Sequence, residues 1–313
     1  MNTITTLTLN PALDIYLYID QPQFRQLNRA RDMYLQASGK GINVSHALAA
    51  LGIASTAIMP LGGALGLSMR HLLESSPHHE TFNLEIIPIA GDSRANPKVL
   101  DIEGRLSEFN APGPILSPEE FSLCLKALGS KDPKSSFVLS GSLARGLARN
   151  TYAEIINILP QARIFLDASG EAFRQALSGE NHIFLTKPND VEAAEFTGQA
   201  VVSYAEALKA AKVIHEHGAA HVLLSLGAKG AVFYAANEAY IIHIPRVEAK
   251  NTTACGDTML SGLIYALEQG YDWAKALSYS SAAAVAKTLI VDGSFPDLGQ
   301  IERFLDGVRL EPA

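Results

Sequence analysis

The order of predicted elements indicates an α/β protein with a three-layer α/β/α sandwich. From residue 117 onward strand patterns alternate with helical ones, which is typical of a mostly parallel sheet covered on both faces. These strand patterns fall near 136–139, 163–166, 183–186, 221–226 and 231–234. Because no repeat, low-complexity tract or Pro/Ser-rich linker divides the chain, residues 1–313 are predicted to form a single domain.

A small β-sheet lid is predicted from two stretches in which strands follow one another without a helix between them. These inserts cover approximately residues 12–36 and 84–110. Around them, the pattern predicts a first strand at 4–9, a glycine-bearing loop at 37–43 that opens a helix through Val44, Leu48 and Leu51, a strand at 56–61 and a helix at 67–73. The helix that follows the loop is expected to stop at Gly52, which is a good residue just beyond a helix end.

Composition sets limits on the partners of this protein. Of its 313 residues, 48% are hydrophobic, which is enough to bury a sizeable core. Its net charge of −7 produces no positive electrostatic potential that would attract nucleic acid or acidic lipid. The two cysteines, Cys124 and Cys255, have no metal-ligand spacing and indicate a reducing compartment. Without a signal peptide or membrane-spanning stretch, the sequence predicts a soluble cytoplasmic protein that binds neither membrane nor nucleic acid.

The segment from Asn251 to Thr258 carries the strongest chemical signal. Small residues precede Asp257, and apolar residues at helical spacing follow it through Leu267, so Asp257 is predicted in the first turn of a buried helix. Unpaired amides and the helix dipole at such an end attract anions. A carboxylate beside them suits phosphoryl transfer, because it can take a proton from the attacking hydroxyl. The alternative is that Asp257 only caps the helix.

Other polar and glycine residues follow predicted strands or open helices, where α/β proteins bind ligands. These are Asp14, Gly39–Asn43, Ser140–Ser142, Asp167, Lys187–Glu192, Ser225–Gly230 and Ala254–Asp257. The Gly39-Lys40-Gly41-x-Asn43 run lets backbone approach a ligand, although it also fits a plain strand-to-helix turn. Asn189 and Glu192 lie three apart at a helix start, so they either hold magnesium through water or form a capping pair.

Two further patterns have both a functional and a structural interpretation. The glycines between Ser225 and Gly230 leave room for the phosphates or ribose of a nucleotide, or simply form a hairpin turn. Arg94, Asn96 and Lys98 share one face of a lid strand. That face is either exposed to water or a clamp for a phosphate, in which Arg94 makes paired hydrogen bonds.

Taken together, these motifs resemble the ribokinase-like carbohydrate kinases. The motifs, in family order, are Thr8-Leu9-Asn10-Pro11-x-x-Asp14, Gly39-Lys40-Gly41-Ile42-Asn43, Ser140-Gly141-Ser142, Lys187-Pro188-Asn189-x-x-Glu192, Ser225-Leu226-Gly227-x-x-Gly230 and Gly256-Asp257. The opening motif and the run from Ser93 to Lys98 are most similar to the B-type phosphofructokinase group. That group holds the 1-phosphofructokinases, the tagatose-6-phosphate kinases and the minor 6-phosphofructokinases.

The resemblance implies a role for each site residue. Asp257 would be the catalytic base, and Ala254, Cys255, Gly256 and Asp257 would form an anion hole. Asp14, Gly39, Asn43 and Ser140 would bind the sugar, and Arg94, Lys40 and Arg29 would neutralise its phosphate. ATP would contact Lys187, Ser225, Leu226, Gly227, Ala228, Lys229, Gly230 and Gly256. Magnesium would lie near Asn189 and Glu192, a potassium ion is allowed, and a homodimer would form through the lid.

Two departures from the family pattern lie near the predicted site. Ala254-Cys255 stands where most relatives have Gly-Ala, and Ala144-Arg145 stands where a relative has Pro-Pro. If position 254 requires a positive φ, alanine there costs about 1–2 kcal/mol of strain, whereas at negative φ it costs nothing. The thiol of Cys255, at a helix N-terminus, is predicted to have a lowered pKa and to react readily with alkylating reagents.

The predicted function is ATP-dependent phosphoryl transfer to a ketohexose phosphate, foremost from fructose 1-phosphate to fructose 1,6-bisphosphate. Phosphorylation of fructose 6-phosphate or tagatose 6-phosphate is the alternative within this group. A kinase of an unphosphorylated sugar or nucleoside is a second alternative. A non-catalytic sugar-phosphate-binding protein is a third, suggested by the altered Ala254-Cys255 pair. The sequence does not decide which hydroxyl accepts the phosphoryl group.

Overall fold

Two β-sheets and ten α-helices make up the computed structural model, which describes residues 3–177 and 182–313. The strands are β1 (Ile4–Thr8), β2 (Ala12–Tyr18), β3 (Asp32–Ser38), β4 (Ser55–Leu61), β5 (Phe82–Pro88), β6 (Arg94–Leu100), β7 (Leu106–Glu108), β8 (Ser136–Ser140), β9 (Arg163–Asp167), β10 (Ile183–Thr186), β11 (Ala219–Ser225), β12 (Ala231–Ala235), β13 (Glu238–His243) and β14 (Arg309–Pro312). The helices are α1 (Lys40–Ala50), α2 (Gly63–Glu74), α3 (Pro118–Gly129), α4 (Thr151–Asn157), α5 (Gly170–Leu177), α6 (Asp190–Thr197), α7 (Tyr204–Glu216), α8 (Cys255–Glu268), α9 (Trp273–Thr288) and α10 (Leu298–Glu302).

The larger sheet has ten strands in the order β14-β13-β12-β11-β10-β9-β8-β1-β4-β5. The strands from β11 to β5 run parallel, and β12, β13 and β14 continue the sheet as antiparallel strands. The carboxyl ends of the parallel strands therefore meet at one edge, where α/β proteins bind ligands. The mostly parallel sheet predicted from the alternating pattern is confirmed.

Hydrophobic cores cover both faces of this sheet. Alternate residues of the central strands point to opposite sides, so that in β8 Phe137 and Leu139 belong to one core and Val138 to the other. The first core packs helices α3 to α7 against the sheet, and the second packs α1, α8 and α9 against it. No helix in the described part of the chain is long and apolar enough to cross a lipid bilayer.

The smaller sheet has four strands in the order β3-β2-β6-β7 and forms the lid. Register places Asp14 beside Gln36 and Asn96, and Tyr16 beside Tyr34 and Lys98, so these side chains share one face. Residues at the alternate positions of the same strands form the opposite, more apolar face, because successive side chains of a strand point to opposite sides.

One strand assigned to the lid from sequence belongs to the larger sheet instead. Strand β5, at Phe82–Pro88, pairs in parallel with β4 and forms an edge of the ten-stranded sheet. It follows helix α2, so β4, α2 and β5 make a crossover unit, which the sequence interpretation overlooked when it grouped residues 84–110 together. The second lid segment thus begins at Arg94, where β6 starts.

Candidate active site

The site is built around the start of helix α8, which begins at Cys255 after a turn at Ala254. Ala254 has φ 59° and ψ 12°, a left-handed conformation that glycine adopts more easily than alanine. Asp257 lies in the first turn, as predicted, and is buried. The amides of this turn have no carbonyl one turn earlier in the helix to bond with, so they are suited to bind an anion.

The carboxyl group of Asp257 accepts a hydrogen bond from Asn43 Nδ2 at 2.7 Å. Asn43 lies on α1, which packs directly against α8, so the two predicted site residues are brought together across 214 positions of sequence. Burial and the nearby carboxylate of Asp167 raise the pKa of Asp257 to about 6, against the opposing effects of Lys40, Asn43 and Lys187. A carboxylate with this pKa is charged at neutral pH and can still accept a proton, as a general base must.

A second acidic residue, Asp167 at the end of β9, holds two lysines in the site. Lys40 Nζ lies 2.7 Å from its Oδ1, and Lys187 Nζ lies 3.1 Å from its Oδ2. Burial alone would raise the pKa of Asp167, but Lys187 and Lys40 hold it below its usual value. Lys40 therefore has two carboxylate partners, Asp167 and, at 3.7 Å, Glu192.

Because Gly256 has no side chain, the ammonium group of Lys187 can lie close to the anion-binding turn. A Cβ atom built at Gly256 would lie 3.0 Å from Lys187 Nζ. The ammonium group of Lys187 thus lies against the backbone of the first turn of α8. The predicted ATP contact Lys187 and the predicted anion hole are brought together in one place.

The lid contributes a buried ion pair. Lys98 Nζ lies 3.0 Å from Asp14 Oδ2, and both side chains are almost fully buried. Burial raises the pKa of Asp14, although Lys98, Ser38 and Asn96 act to lower it. Asp14 was predicted as a sugar ligand, whereas Lys98 was assigned only to a shared face with Arg94.

The loop before α1 lies close to strand β1. Gly39 has φ 147°, and a Cβ there would lie 2.6 Å from Thr8 Cγ2, so the turn requires glycine. Thr8 Oγ1 in turn accepts a hydrogen bond from the amide of Ile42. The buried Oγ of Ser140 and Oδ1 of Asn43 have no hydrogen-bond partner in the described structure. Such orphaned polar atoms are what a sugar hydroxyl would satisfy.

The predicted ATP loop connects two antiparallel strands, β11 and β12. Gly227–Lys229 form one 3₁₀ turn, and a Cβ at Gly230 would lie 2.0 Å from the carbonyl oxygen of Ile242. The hairpin interpretation of the Ser225–Gly230 motif is therefore correct in structural terms. Its nucleotide-binding role stays a prediction.

Asn189 and Glu192 form the capping pair that was the structural alternative to a metal site. Asn189 Oδ1 accepts from the Glu192 amide at 2.8 Å, and Glu192 Oε2 accepts from the Asn189 amide at 2.9 Å. Within residues 3–177 and 182–313, no three His, Cys, Asp or Glu side chains gather as a metal site. The other carboxylate oxygen, Glu192 Oε1, lies 3.7 Å from Lys40 Nζ. A single carboxylate oxygen is enough for a hydrated magnesium ion that is bound mainly by phosphates.

The two arginines predicted to bind phosphate differ in their surroundings. Arg94 is half-buried and donates from Nε and Nη2 to the carbonyl of Asn10 and from Nη1 to that of Ala111. Three of the five N–H groups of the guanidinium are thus occupied by backbone, which leaves two for a phosphate. Arg29 is exposed in the loop between β2 and β3 and lines a cavity of the lid with Asn28 and Arg31.

The pKa of Cys255 shifts in the direction opposite to the one predicted, and the reactivity of this half-buried thiol stays a prediction. Burial raises the pKa of this thiol to about 11, which outweighs the lowering effect of Lys287. Its Sγ lies 3.8 Å from the carbonyl oxygen of Asn251 rather than in the open anion-binding turn. The sequence showed only the helix end, whose dipole favours a thiolate, and could not show how deeply the thiol is enclosed.

Sequence reasoning placed Asp167 only at the ligand-binding edge and Lys98 only on the possible phosphate-clamp face, and it did not mention Tyr16. Asp167 forms ion pairs with Lys40 and Lys187, and Lys98 forms an ion pair with Asp14. The Lys98 ammonium also lies 5.4 Å from the centre of the Tyr16 ring. For Asp167 and Lys98 a signal existed, because one follows a predicted parallel strand and the other shares a lid face with Arg94. Which partner each would meet depends on packing between elements far apart in sequence.

The fold and the site together define a carbohydrate kinase. The chain is 33% identical over 310 residues to a 1-phosphofructokinase of Borreliella burgdorferi, covering 98% of both chains. It is 30% identical to an ATP-dependent 6-phosphofructokinase isozyme 2 of Mycobacterium tuberculosis, covering 97% of this chain and 89% of the relative. Phosphofructokinase-2 from Escherichia coli, solved in complex with potassium, superposes with a TM-score of 0.90 at 28% identity, covering 98% of this chain and 99% of the other.

The chain belongs to the pfkB family of carbohydrate kinases, whose model matches residues 8–293. The ribokinase-like α/β/α fold expected from the sequence is confirmed. Kinases transfer a phosphoryl group from a nucleotide whose phosphates are bound by a divalent metal. The resemblance noted in the sequence was therefore correct at the level of the family, the fold and the class of enzyme.

Proposed function

We propose that this protein transfers the γ-phosphoryl group of ATP to the C6 hydroxyl of fructose 1-phosphate. The observation that carries the proposal is the position of Asp257. Its carboxylate is buried in the first turn of α8, is oriented by Asn43 and has its pKa raised to about 6. It therefore lies beside amides that can hold a phosphoryl group and opposite the lid that carries Asp14 and Lys98.

In the proposed reaction, the free oxygen of the Asp257 carboxyl group takes the proton of the C6 hydroxyl. The hydroxyl oxygen forms a bond to the γ-phosphorus, and the bond from that phosphorus to the bridging oxygen of ADP breaks. The amides of residues 255–257 stabilise the charge that builds on the transferring oxygens. Lys187, which lies against Gly256, adds positive charge there without contacting the sugar.

Magnesium, when bound with ATP, would neutralise part of the charge of the phosphates. Glu192 and Asn189 would hold it through water. Lys40 links this region to Asp167 and so orients the phosphates relative to the sugar. A bound potassium ion is allowed rather than required, and a cytoplasmic location stays a prediction.

The lid supports a substrate that already carries a phosphate. The two remaining N–H groups of Arg94 fit a phosphate oxygen pair, and Arg94 itself is anchored to backbone. The choice of fructose 1-phosphate follows the 1-phosphofructokinases among the relatives. Fructose 6-phosphate is the second candidate, favoured by the similarity to a 6-phosphofructokinase isozyme 2, and tagatose 6-phosphate is the third.

A substrate panel tests the proposal. Purified protein with MgATP is assayed for ADP formation against fructose 1-phosphate, fructose 6-phosphate, tagatose 6-phosphate and unphosphorylated fructose. We expect the highest kcat/KM with fructose 1-phosphate. A higher value with another sugar phosphate would reassign the substrate, and turnover of fructose alone would overturn the role of the phosphate. Calorimetric binding of fructose 1-phosphate without ADP formation would favour the non-catalytic alternative.

The Asp257→Asn variant tests the catalytic role within the same assay. The amide keeps the size of the side chain but cannot take a proton, so kcat should fall by roughly 10²-fold or more. Asp306→Asn, an exposed acid in a short 3₁₀ turn, is the matched control and should keep full activity. A near-normal rate for Asp257→Asn would remove this residue from the mechanism.

We further propose that two copies pair through the lid. The face opposite Asp14 and Lys98 is apolar and partly exposed, and it ends at Met33 and Leu35, which are 56% and 39% exposed. Its other members, by register, are Ile15, Leu17, Pro97 and Val99. An exposed apolar strip is typical of a protein–protein interface, and the partner would be a second copy of this chain.

A further inference from the structure

Lys287, near the end of α9, is a buried lysine that the proposed reaction does not use. Its side chain is 2% exposed, and Nζ donates a hydrogen bond to the carbonyl oxygen of Ser294 at 2.7 Å. The buried lysines Lys98 and Lys187 each have a carboxylate within 3.1 Å, but none of the ion pairs within the described residues involves Lys287. A buried ammonium held by a neutral carbonyl is costly, so its retention needs a reason.

The carbonyl that Lys287 binds belongs to the loop of residues 290–296, which follows α9. The ammonium also lies 5.1 Å above the ring of Phe295 in this loop. Phe295 in turn stacks on His46 of α1, the helix that carries Asn43. Through these contacts, Lys287 holds the 290–296 loop in place against both α9 and α1.

This loop contacts both halves of the proposed active site. Asn251, which begins the segment leading to α8, donates from its backbone amide to Thr288 at 3.1 Å and from Nδ2 to Val291 at 3.5 Å. On the lid side, Gln36 Nε2 donates to the carbonyl of Gly293 at 3.1 Å. A displacement of the loop would therefore move the anion-binding turn and loosen the lid.

The charge of Lys287 also reaches the anion-binding turn. Burial lowers the pKa of Lys287, whereas the electrostatic interaction with Cys255, Asp292 and Asp257 opposes that change and favours the charged ammonium. Carbonyl oxygens can also be ligands of a monovalent cation such as potassium. Here one such carbonyl is bound by a side-chain ammonium, which carries the same charge and is covalently attached to the chain.

We propose that Lys287 is a positioning residue that serves as a built-in monovalent cation for this kinase. Its ammonium group holds the 290–296 loop against the Asn251–Asp257 segment and supplies a fixed positive charge behind the anion hole. The protein would then need no added potassium, in contrast to what the potassium complex of the Escherichia coli relative suggests for that protein. The activity measurements below rest on the proposed kinase function.

The first test uses the unchanged protein. Phosphoryl transfer is measured in tetramethylammonium chloride, whose cation is too large for such a site, and then with potassium or ammonium chloride at the same ionic strength. We expect less than a twofold change in kcat. Activation of the unchanged protein by severalfold with potassium would overturn the proposal.

The second test removes the ammonium. Lys287→Met keeps most of the stem and Lys287→Ala leaves space for a small cation, while Lys275→Met, exposed on the same helix, is the control for loss of charge. We expect kcat to fall roughly tenfold or more in both Lys287 variants, with a smaller change in KM, since a charge-assisted hydrogen bond is lost. Ammonium or potassium should restore part of the kcat of Lys287→Ala in a saturable way, while Lys275→Met stays normal.

A readout that does not depend on catalysis separates this inference from the proposed function. The midpoint of thermal unfolding of Lys287→Ala should rise with ammonium or potassium relative to tetramethylammonium, and that of the unchanged protein should not. This result would support the cation role even if no fructose phosphate were turned over. Normal kcat in both variants, or a loss that no small cation restores in either rate or unfolding midpoint, would overturn it.

Discussion

At the scale of single residues, the carboxyl group of Asp257 is controlled by its immediate surroundings. Burial and the negative charge of Asp167 raise its pKa, whereas Lys40, the Asn43 amide and Lys187 lower it, and the result is about 6. The group is therefore ionised at neutral pH but remains basic enough to accept a proton in the transition state. These contributions come from three parts of the fold: Asp167 ends β9, Lys40 and Asn43 lie on α1, and Lys187 follows β10.

The first residue-scale prediction concerns pH. The base must be deprotonated to act, so kcat/KM should be constant at neutral pH and fall as the pH drops through about 6. Asn43→Ala removes a hydrogen bond that favours the carboxylate, so the acid limb should move to higher pH, by roughly one unit or more. Asn157→Ala, exposed at the end of α4, is the control. An unshifted limb in Asn43→Ala would show that this bond does not set the pKa.

The second residue-scale prediction concerns Ala254, whose left-handed φ of 59° settles the question that the sequence left open. Ala254→Gly should relieve about 1–2 kcal/mol of strain, partly offset by the greater entropy of the unfolded chain, for a net gain of about 1 kcal/mol. The free energy of unfolding in urea measures this. Ala205→Gly, exposed in the first turn of the helix α7, should lose stability. A loss in both variants would contradict the strain argument.

At the scale of elements, the lid strands β2 and β6 bury a pair of opposite charges. Asp14 and Lys98 lie 3.0 Å apart on adjacent strands, and Asp14 also has the neighbouring polar groups of Ser38 and Asn96. Both charges are withdrawn from water, but Lys98 also lies 3.4 Å from the more exposed Glu108, so Asp14 depends on Lys98 more than Lys98 depends on Asp14. The pair thus fixes the register of the lid face that is proposed to meet the sugar.

The element-scale prediction is a double-mutant cycle on this pair. Lys98→Met should lower the free energy of unfolding by about 3–5 kcal/mol, because it leaves the Asp14 carboxylate buried without a partner. Combining it with Asp14→Asn should recover much of that loss, since no uncompensated charge remains. As a control, Arg70→Met, which removes an exposed ion pair with Glu74, should cost less than about 1 kcal/mol. Purely additive effects at Asp14 and Lys98 would mean that the two charges are not coupled.

At the scale of the whole molecule, one face of the lid carries Asp14 and Lys98, and the other carries the apolar strip through which we propose that two copies pair. One end of that face is covered by α2 and β4, against which Ile15 packs, whereas Met33 and Leu35 at the other end stay 56% and 39% exposed. A lid shared by two copies would be held in its closed position more firmly than a lid attached to one. Assembly and substrate binding would then be linked.

The molecule-scale prediction is that the protein sediments at twice the 33.5 kDa mass of its chain. Leu35→Glu places a charge in the proposed interface and should shift the protein to the monomer at micromolar concentration, with a higher KM for the sugar phosphate. Leu67→Glu, at an exposed site on α2, should remain a dimer. A dimer that survives Leu35→Glu unchanged would place the interface elsewhere, and a monomeric parent would remove it.

The sequence by itself determined the family, the mostly parallel sheet and the identity of most proposed site residues. These follow from local patterns: alternating strands and helices, glycines where the backbone must approach closely, and Asp257 immediately before a run of helical spacing. Such patterns involve residues that are close together in the sequence, so they can be recognised without knowing the folded structure. The lid was predicted for the same reason, apart from the edge strand β5.

Only the tertiary structure decided which groups meet and how far each is removed from water. It placed β5 in the large sheet, paired Lys40 with Asp167, joined Lys98 to Asp14, and enclosed the Cys255 thiol so that its pKa rises rather than falls. It also brought the ammonium group of Lys287 to the carbonyl oxygen of Ser294. Burial and charge–charge distance arise from contacts between elements far apart in sequence, and no local pattern encodes them.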